Sequence, residues 1–429
     1  MFHYIVGAFR GKVVLKMKFY KVISLIVAMM LCLLSYPMHS VQATSMLLDV
    51  QDNTSDVSFV LDRSDFVSEE KYQEYLSENS SRIESNNART IMYQPETTTT
   101  GTLEYTITGL QTSLPIQNFY IGASYIYVTQ MTSLDSDDIN DDVYISRCLI
   151  NEETNTATYI NHMILRNFGH NQILEAFIRN NKLYLWIGCK SYAGEGMTEQ
   201  EIAQTGIHPY TIQVGRIEYQ PDAIINNYTN ITRLSNLNWA NSTHTSFGYV
   251  KRVDAALSSD KKRIIFAVRN HNNDLQYSCF NVEQLNQLLD AKENATSKYV
   301  SFRELDLSEY CIFSCVQTSA NKILPQYSCQ GIDLTDVYNS IYIAGGLQHQ
   351  DTYTYQGQSY NYVPQIYKLV LQNNQYVYQS GVTIWNNEFG AMTEIEGVHI
   401  VGGNLCFAIS GYATRTTTQY IYSIPKSVF

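Results

Sequence analysis

The sequence predicts an all-β fold, a single five-bladed β-propeller that is closed by an N-terminal strand in the last blade. Five segments repeat one order of features: a polar residue opens a strand, a turn rich in Gly, Asn or Asp follows, and an apolar or aromatic run completes a hairpin. Similar third-strand patterns follow three of these hairpins, and one further strand pattern precedes the first. A large β-sandwich with accidentally similar strands is the alternative.

Each repeat begins at a polar residue and reaches a hydrophobic strand after its turn. The turns at Asn180-Asn181 and Ser259-Asp260 contain residues that tolerate positive φ or favour tight turns, as β-hairpins require. The five repeats run from Gln117 to Val128, Gln172 to Trp186, Asp254 to Val268, Gln330 to Ile343 and Glu396 to Ile409.

The repeats are spaced more widely than the roughly 40 to 50 residues of a compact blade, so insertions must separate them. One insertion is predicted to be a helix over Val282 to Leu289, with Asn281 as its N-cap. A second, Leu347 to Tyr362, is polar and rich in Gly and Tyr, and it is predicted to be a long loop.

Closure of the propeller is predicted from the two ends of the repeat region. The stretch after Glu396 has room for about three strands, one fewer than a full blade. Leu103 to Thr108 alternates as a strand should and lies just ahead of the first repeat. We therefore expect this strand to complete the last blade, which leaves no long open sheet edge.

Residues 1–43 have the organisation of a cleaved export signal, with Met17 as its natural start. Lys18 and Lys21 precede the apolar run Val22 to Tyr36, and Val41-Gln42-Ala43 is a small-residue cleavage site. The run is shorter than the roughly 20 residues that span a bilayer. These features predict a secreted, extracellular protein with no stable membrane anchor.

Residues 44–101 form an acidic, low-complexity arm or linker, rich in Ser, Asn and Thr, and residues 102–429 form the propeller domain. Such an arm buries too little apolar surface to offset the entropy of ordering it. The whole chain has a formal net charge of −11 and no basic cluster. This charge argues against a nucleic-acid partner.

The cysteines do not suggest a disulfide framework. One of the eight lies in the export signal, and the remaining odd number has no framework spacing. Cys311, Cys315 and Cys329 have no histidine or fourth thiol suitably placed for zinc, so buried or incidental thiols are favoured. No metal site and no cofactor are expected.

Five groups of segments, in the same order along the chain, resemble the helveticin J family of large, heat-labile (class III) bacteriocins secreted by lactobacilli. The resemblance is colinear over residues 102–429 and omits the acidic arm. No single motif is specific, but the shared order makes coincidence improbable. The segments are Gly169–Phe177 with Leu183–Gly188, Thr232–Leu237, Asp254–Ser258 with Ile264–Val268, Gln330–Leu334 with Ile341–Ile343, and Phe389-Gly390 with Glu394–Glu396.

The chain also departs from the pattern of that family. The family often has a histidine shortly before the acidic residue of the third unit and again before that of the fifth, where this chain has Arg252 and Met392. His170 of the second unit is retained. If those histidines carry the family's activity, this chain binds the same target without the same effect.

Polar residues at equivalent positions of the repeats are candidate ligand-binding residues. In a propeller such positions converge on the central channel, where a ring of amides and carboxylates suits the hydroxyl groups of a sugar. The same residues are equally suited to satisfying buried backbone groups. The candidates are Gln117, Gln172, Asp254, Gln330 and Glu396, together with His170 and Glu394.

Two further features bear on function. Glu394 and Glu396 are two apart, so on a strand both face the same way, and a carboxylate pair is the minimum for glycoside hydrolysis. Four tyrosines in the predicted loop at 353–362 present aromatic faces that stack on sugar rings.

The resemblance implies a secreted bacteriocin acting at the envelope of competing Gram-positive bacteria, with the propeller recognising a cell-wall glycan. A non-lethal glycan-binding or adhesin-type propeller, and a secreted glycoside hydrolase, are the alternatives.

Overall fold

Strands dominate the chain wherever its structure is described. The computed structural model describes residues 97–132, 134, 142–191, 210–319, 323, 329–355, 358–385, 393–411 and 416–429. They all belong to one unit, Gln51–Phe429. The export signal and most of the predicted arm lie outside the described residues.

Within those residues the strands form five antiparallel groups of four. Group I comprises β3 (Ile116–Ile121), β4 (Tyr125–Thr132), β5 (Asp142–Asn151) and β6 (Thr156–Leu165). Group II comprises β7 (Leu174–Arg179), β8 (Lys182–Ser191), β9 (Thr211–Glu218) and β11 (Thr232–Ser235). Group III comprises β12 (Val250–Leu257), β13 (Arg263–Asn270), β14 (Leu275–Asn281) and β16 (Cys311–Gln317).

Groups IV and V continue the same order of strands. Group IV comprises β17 (Gly331–Leu334), β18 (Ser340–Tyr355), β19 (Gln358–Gln372) and β20 (Gln375–Ile384). Group V comprises β21 (Thr393–Val401), β22 (Asn404–Gly411), β23 (Gln419–Pro425) and the N-terminal strand β2 (Thr102–Thr108). Three short strands add to these groups in parallel: β1 (Thr97–Thr99) beside β20, β10 (Ile224–Ile225) beside β6, and β15 (Tyr299–Ser301) beside β11.

The predicted pairing of the N-terminal strand is present. Thr102 of β2 pairs with Ser423 of β23, and Ile107 pairs with Gln419, in antiparallel register. On its other side β2 pairs in parallel with β6, so groups V and I share one continuous sheet. Thr97–Thr99, which the sequence placed in the arm, also belongs to the sheet structure, because β1 is paired with β20.

Five hydrophobic clusters lie between the groups. One contains Trp186 of group II and Phe266 of group III, and another contains Tyr277 of group III and Ile341 of group IV. The other three join groups I and II, IV and V, and V and I. Each group therefore buries side chains against two others.

Local sequence features explain several of the hairpins and the helix. Asn180 and Asn181, between β7 and β8, both have positive φ, as the sequence predicted for a tight turn. Helix α1 spans Val282–Asp290, and the side chain of Asn281 accepts hydrogen bonds from the backbone N–H groups of Glu283 and Gln284. The predicted N-cap is thus confirmed.

The prediction that Leu347 to Tyr362 forms a loop is wrong. Most of this stretch continues β18 and β19 as a long hairpin, with Gln348 opposite Tyr362 and a bulge before Tyr353. Polar composition misled the prediction, because Tyr and Thr are also strand formers. The side chains of the loop tyrosines lie outside the described residues.

No disulfide joins the seven described cysteines, and all of them except Cys311 are buried. Within the described residues, no helix is long and apolar enough to cross a membrane.

Candidate functional site

Four of the five predicted ring positions meet in one buried hydrogen-bonded network. The side-chain Nε2 of Gln172, just before β7, donates to Oε1 of Gln330 at 2.6 Å and lies 3.5 Å from Oε2 of Glu396. Nε2 of Gln330, just before β17, donates to Oε1 of Glu394 at 2.7 Å. The central network, as we call it, comprises Gln172, Arg252, Asp254, Gln330, Glu394 and Glu396, all at most 9% exposed.

Arg252 on β12 ties the third group to this network. Its Nε donates to Oδ2 of Asp254 at 2.8 Å, and its Nη2 donates to Oδ1 of the same carboxylate at 2.9 Å. The same Nη2 also donates to the side-chain oxygen of Gln172 and to the backbone carbonyl of Cys329. The guanidinium lies over the ring of Tyr210, 4.4 Å from its centroid.

The network contains more carboxylates than cations. Burial lowers the pKa of Arg252, but the adjacent Asp254 and other groups outweigh burial, and the net shift is upward. Burial and the neighbouring Glu394 raise the pKa of Glu396 well above its usual value, against the lowering effects of Arg252 and of Gln172. Glu396 therefore holds its proton to unusually high pH, and it can act as a proton donor.

Gln117 adjoins Asn118, and His170 packs on Tyr210, two residues that contact the network. Gln117 is buried, and its Oε1 has no hydrogen-bond partner among the described residues. Group I contributes the next residue instead, since Nδ2 of Asn118 donates to the backbone carbonyl of Gln172 at 2.8 Å. The ring of His170 packs edge-on against Tyr210, with 5.1 Å between centroids.

A second cluster of ionisable side chains lies further along the same strands. Glu175 of β7, Asp333 of β17 and His399 of β21 bring one ligand atom each to within 4.8 Å of one another, and all three are buried. Nζ of Lys261, on the turn after β12, is 3.3 Å from Oε2 of Glu175. The ammonium lies over the ring of Tyr120 of β3, 4.7 Å from its centroid. We call these five residues the acid–histidine cluster.

Strong electrostatic perturbation marks this cluster. Burial and the neighbouring Glu175 raise the pKa of Asp333 well above its usual value, although backbone hydrogen bonds and Lys261 oppose this. Burial lowers the pKa of His399, against the raising effect of Glu175. Burial lowers the pKa of Lys261, but Glu175 and its other neighbours outweigh burial and raise it.

The acid–histidine cluster was not predicted from the sequence, although the spacing of its residues is regular. Glu175, Asp333 and His399 each stand three residues after a ring position, and Tyr120 stands three residues after Gln117. On a regular strand residues three apart face opposite ways, so the pattern conceals a shared site. In β21 a bulge lies between Glu396 and His399, with Gly397 at a φ of +63°. The bulge changes the face of the sheet on which the following side chains lie.

The chain matches the family model described as "Bacteriocin helveticin-J" over residues 93–427. Bacteriocin helveticin-J of Lactobacillus helveticus is 26% identical over 210 residues, which cover 46% of this chain and 61% of that protein. The alignment therefore spans less than two thirds of the relative's length.

Solved structures of carbohydrate-active proteins are distantly similar. A putative glycoside hydrolase from Bacteroides ovatus aligns with 8% identity and a TM-score of 0.37, covering 74% of this chain and 88% of that chain. A family 43 arabinoxylan arabinofuranohydrolase from Bacillus subtilis aligns with 7% identity and a TM-score of 0.36, covering 73% and 63%. TM-scores this low do not establish a shared fold or activity.

Proposed function

Because the chain belongs to the helveticin-J bacteriocin family, we propose that it is a secreted antibacterial protein that acts at the envelope of competing Gram-positive bacteria. The family match over residues 93–427 is the observation that carries this proposal. The family's activity comes to this chain by similarity alone.

The proposal includes a single five-bladed propeller as the recognition module. The five clusters join groups I to II, II to III, III to IV, IV to V, and V back to I, an order that suits a closed ring of blades. Each group supplies a residue near the shared centre, either on its first strand or just before it. A flat sandwich would not bring first strands from all groups to one place.

The ligand of this module is proposed to be a cell-wall glycan. Amide and carboxylate groups at the central network offer both hydrogen-bond donors and acceptors, which sugar hydroxyl groups require. Most of these groups already pair with one another, so the network positions the site more than it contacts the sugar. Gln117, which lies beside the network, differs from these residues because its side-chain oxygen has no hydrogen-bond partner among the described residues.

The variant Gln117→Met tests whether Gln117 binds a glycan or only stabilises the fold. Replacing an unsatisfied buried amide with an apolar side chain of similar length is neutral or stabilising for the fold. If Gln117 contacts a glycan, the variant keeps its melting temperature but binds isolated cell walls less. Gln220→Met, at an exposed glutamine, is the matched control and should leave both properties unchanged.

The function itself is tested by applying the purified protein to a panel of Gram-positive strains and to isolated cell walls. Cell death, wall binding and released reducing sugars are scored separately. Killing together with wall binding supports the proposal, whereas binding without killing favours an adhesin-type role. Sugar release would make the protein a glycoside hydrolase, with the proton on Glu396 as its acid and Glu394 as the adjacent carboxylate. If the protein neither binds to nor kills any of the strains, the proposal is overturned.

A further inference from the structure

The acid–histidine cluster has the donor set of a metal site. It contains one imidazole and two carboxylates, contributed by β7, β17 and β21 of three different groups. Nδ1 of His399 lies 3.6 Å from Oδ2 of Asp333. Their side chains are at most 8% exposed, so the donors are shielded from water and need a cation or protons to offset their charge.

The ligand atoms are also held in place by surrounding groups. The backbone N–H of Leu334 donates to Oδ1 of Asp333 at 2.7 Å, and that of Leu257 donates to Oε1 of Glu175 at 3.1 Å. Such outer hydrogen bonds orient the side chains that bind metals in proteins.

Lys261 is the competing cation at this position. Its ammonium reaches Glu175 from the turn after β12, and its side chain is 30% exposed. Two carboxylates exceed the charge of one ammonium, whereas a divalent ion would balance both of them.

We propose that Glu175, Asp333 and His399 bind one divalent transition-metal ion, of the zinc or manganese type, in competition with the ammonium of Lys261. One nitrogen and two oxygen donors suit Zn²⁺ and Mn²⁺. Calcium prefers six to eight oxygen ligands, which these side chains do not supply. The proposal is independent of antibacterial activity, since it concerns binding of the metal alone.

The test measures binding of Mn²⁺ and of Zn²⁺ to the full protein after treatment with a chelator and dialysis. We expect about one equivalent of bound metal and a higher melting temperature with metal, because the ion binds the folded chain. Ca²⁺ at the same concentration should not bind. Mn²⁺ is the more selective probe, since thiolates prefer zinc.

Two variants locate the ion. Asp333→Asn should weaken Mn²⁺ binding at least about tenfold, while Asp306→Asn, at an exposed aspartate, should not change it. Lys261→Gln removes the competing charge and should strengthen binding by a similar factor. This gain decides the question even if Asp333→Asn does not fold.

Three outcomes would overturn the proposal: no metal retained by the original protein or by Lys261→Gln, equal binding by Asp333→Asn and Asp306→Asn, or weaker binding by Lys261→Gln. Weaker binding by Lys261→Gln would show that Lys261 stabilises the cluster through its ion pairs and does not compete with a metal.

Discussion

Arg252 and Asp254 form a buried two-point ion pair between residues two apart on the same strand, with 2.8 Å from Nε to Oδ2. Residues two apart on a strand face the same way, so the two side chains meet without a chain reversal between them. A register shift beside Arg252 in the pairing of β12 with β13 adjusts the direction of the side chain. The same Nη2 that bonds Asp254 also reaches Gln172 and the carbonyl of Cys329, which precede the first strands of groups II and IV, so one side chain links three groups.

Arg252→Met is expected to lower the free energy of unfolding by about 3–5 kcal/mol, because it leaves the Asp254 carboxylate buried and unpaired. Urea denaturation followed by far-UV circular dichroism measures this change. The double variant Arg252→Met/Asp254→Asn should lose less than the sum of the two single variants. Lys182→Met, which breaks the exposed Lys182–Glu218 pair, should cost far less. Equal losses in both methionine variants would contradict the central role of Arg252.

The raised pKa of Glu396 predicts a specific pH dependence of the free energy of unfolding. Its folded-state pKa lies well above the ordinary value of 4.5, so between these values the folded state holds a proton that the unfolded chain has released. Raising the pH through this window therefore lowers the free energy of unfolding, by at most about 1.4 kcal/mol per pH unit.

Glu396→Gln cannot release this proton and should show a flatter profile of the free energy of unfolding against pH. Denaturation from about pH 5 to about pH 8 tests this, with exposed Glu153→Gln as control. Parallel profiles for all three proteins would show that Glu396 is not perturbed.

Ile107→Pro tests closure by the N-terminal strand. The backbone N–H of Thr106 donates to the carbonyl of Asn155 at 2.9 Å, on the β6 side, so alternation directs the N–H of Ile107 toward β23. Proline removes that donor from a central strand and should destabilise the protein by about 3 kcal/mol or more. Thr102→Pro, at the first and exposed residue of β2, is the matched control and should be tolerated. Thermal unfolding distinguishes them, and equal melting temperatures would contradict the closure.

The boundary of the acidic arm can be tested by two shortened chains. A chain beginning at Thr97 keeps β1 and should melt within about 2 °C of the chain beginning at Thr44, if the arm contributes no packing. A chain beginning at Thr102 loses β1 and the hydrogen bond from Trp385 N–H to the Thr99 carbonyl, and should melt roughly 2–4 °C lower. A large loss in the first chain would show that the arm packs on the fold.

The sequence predicted strands and their order well because hairpins are local. Asn180, Asn181 and the Asn281 cap act through neighbouring backbone groups, so short-range rules were sufficient. Equivalent polar positions also predicted that Gln172, Asp254, Gln330 and Glu396 lie close together, as they do, while their role in binding a ligand stays a prediction.

Other features could not be predicted by the same rules. Arg252 was noted only as a departure from the family pattern, because its partners Gln172 and Cys329 are distant in sequence. Lys261 lies on a turn, where a lysine is ordinarily exposed, and only its position across from Glu175 gives it a role. The β18–β19 hairpin resembles a loop because its composition is polar.

The position of β2 between β23 and β6 has a consequence for folding kinetics. The side chains of Ser423 and Glu104 hydrogen-bond across a separation of 319 residues, so this junction requires a very large chain loop to close. Contacts of such long range form slowly. Until β2 is in place, the edges of β6 and β23 are unpaired templates for other chains. We therefore expect intermolecular strand exchange at this junction to be the main hazard during refolding.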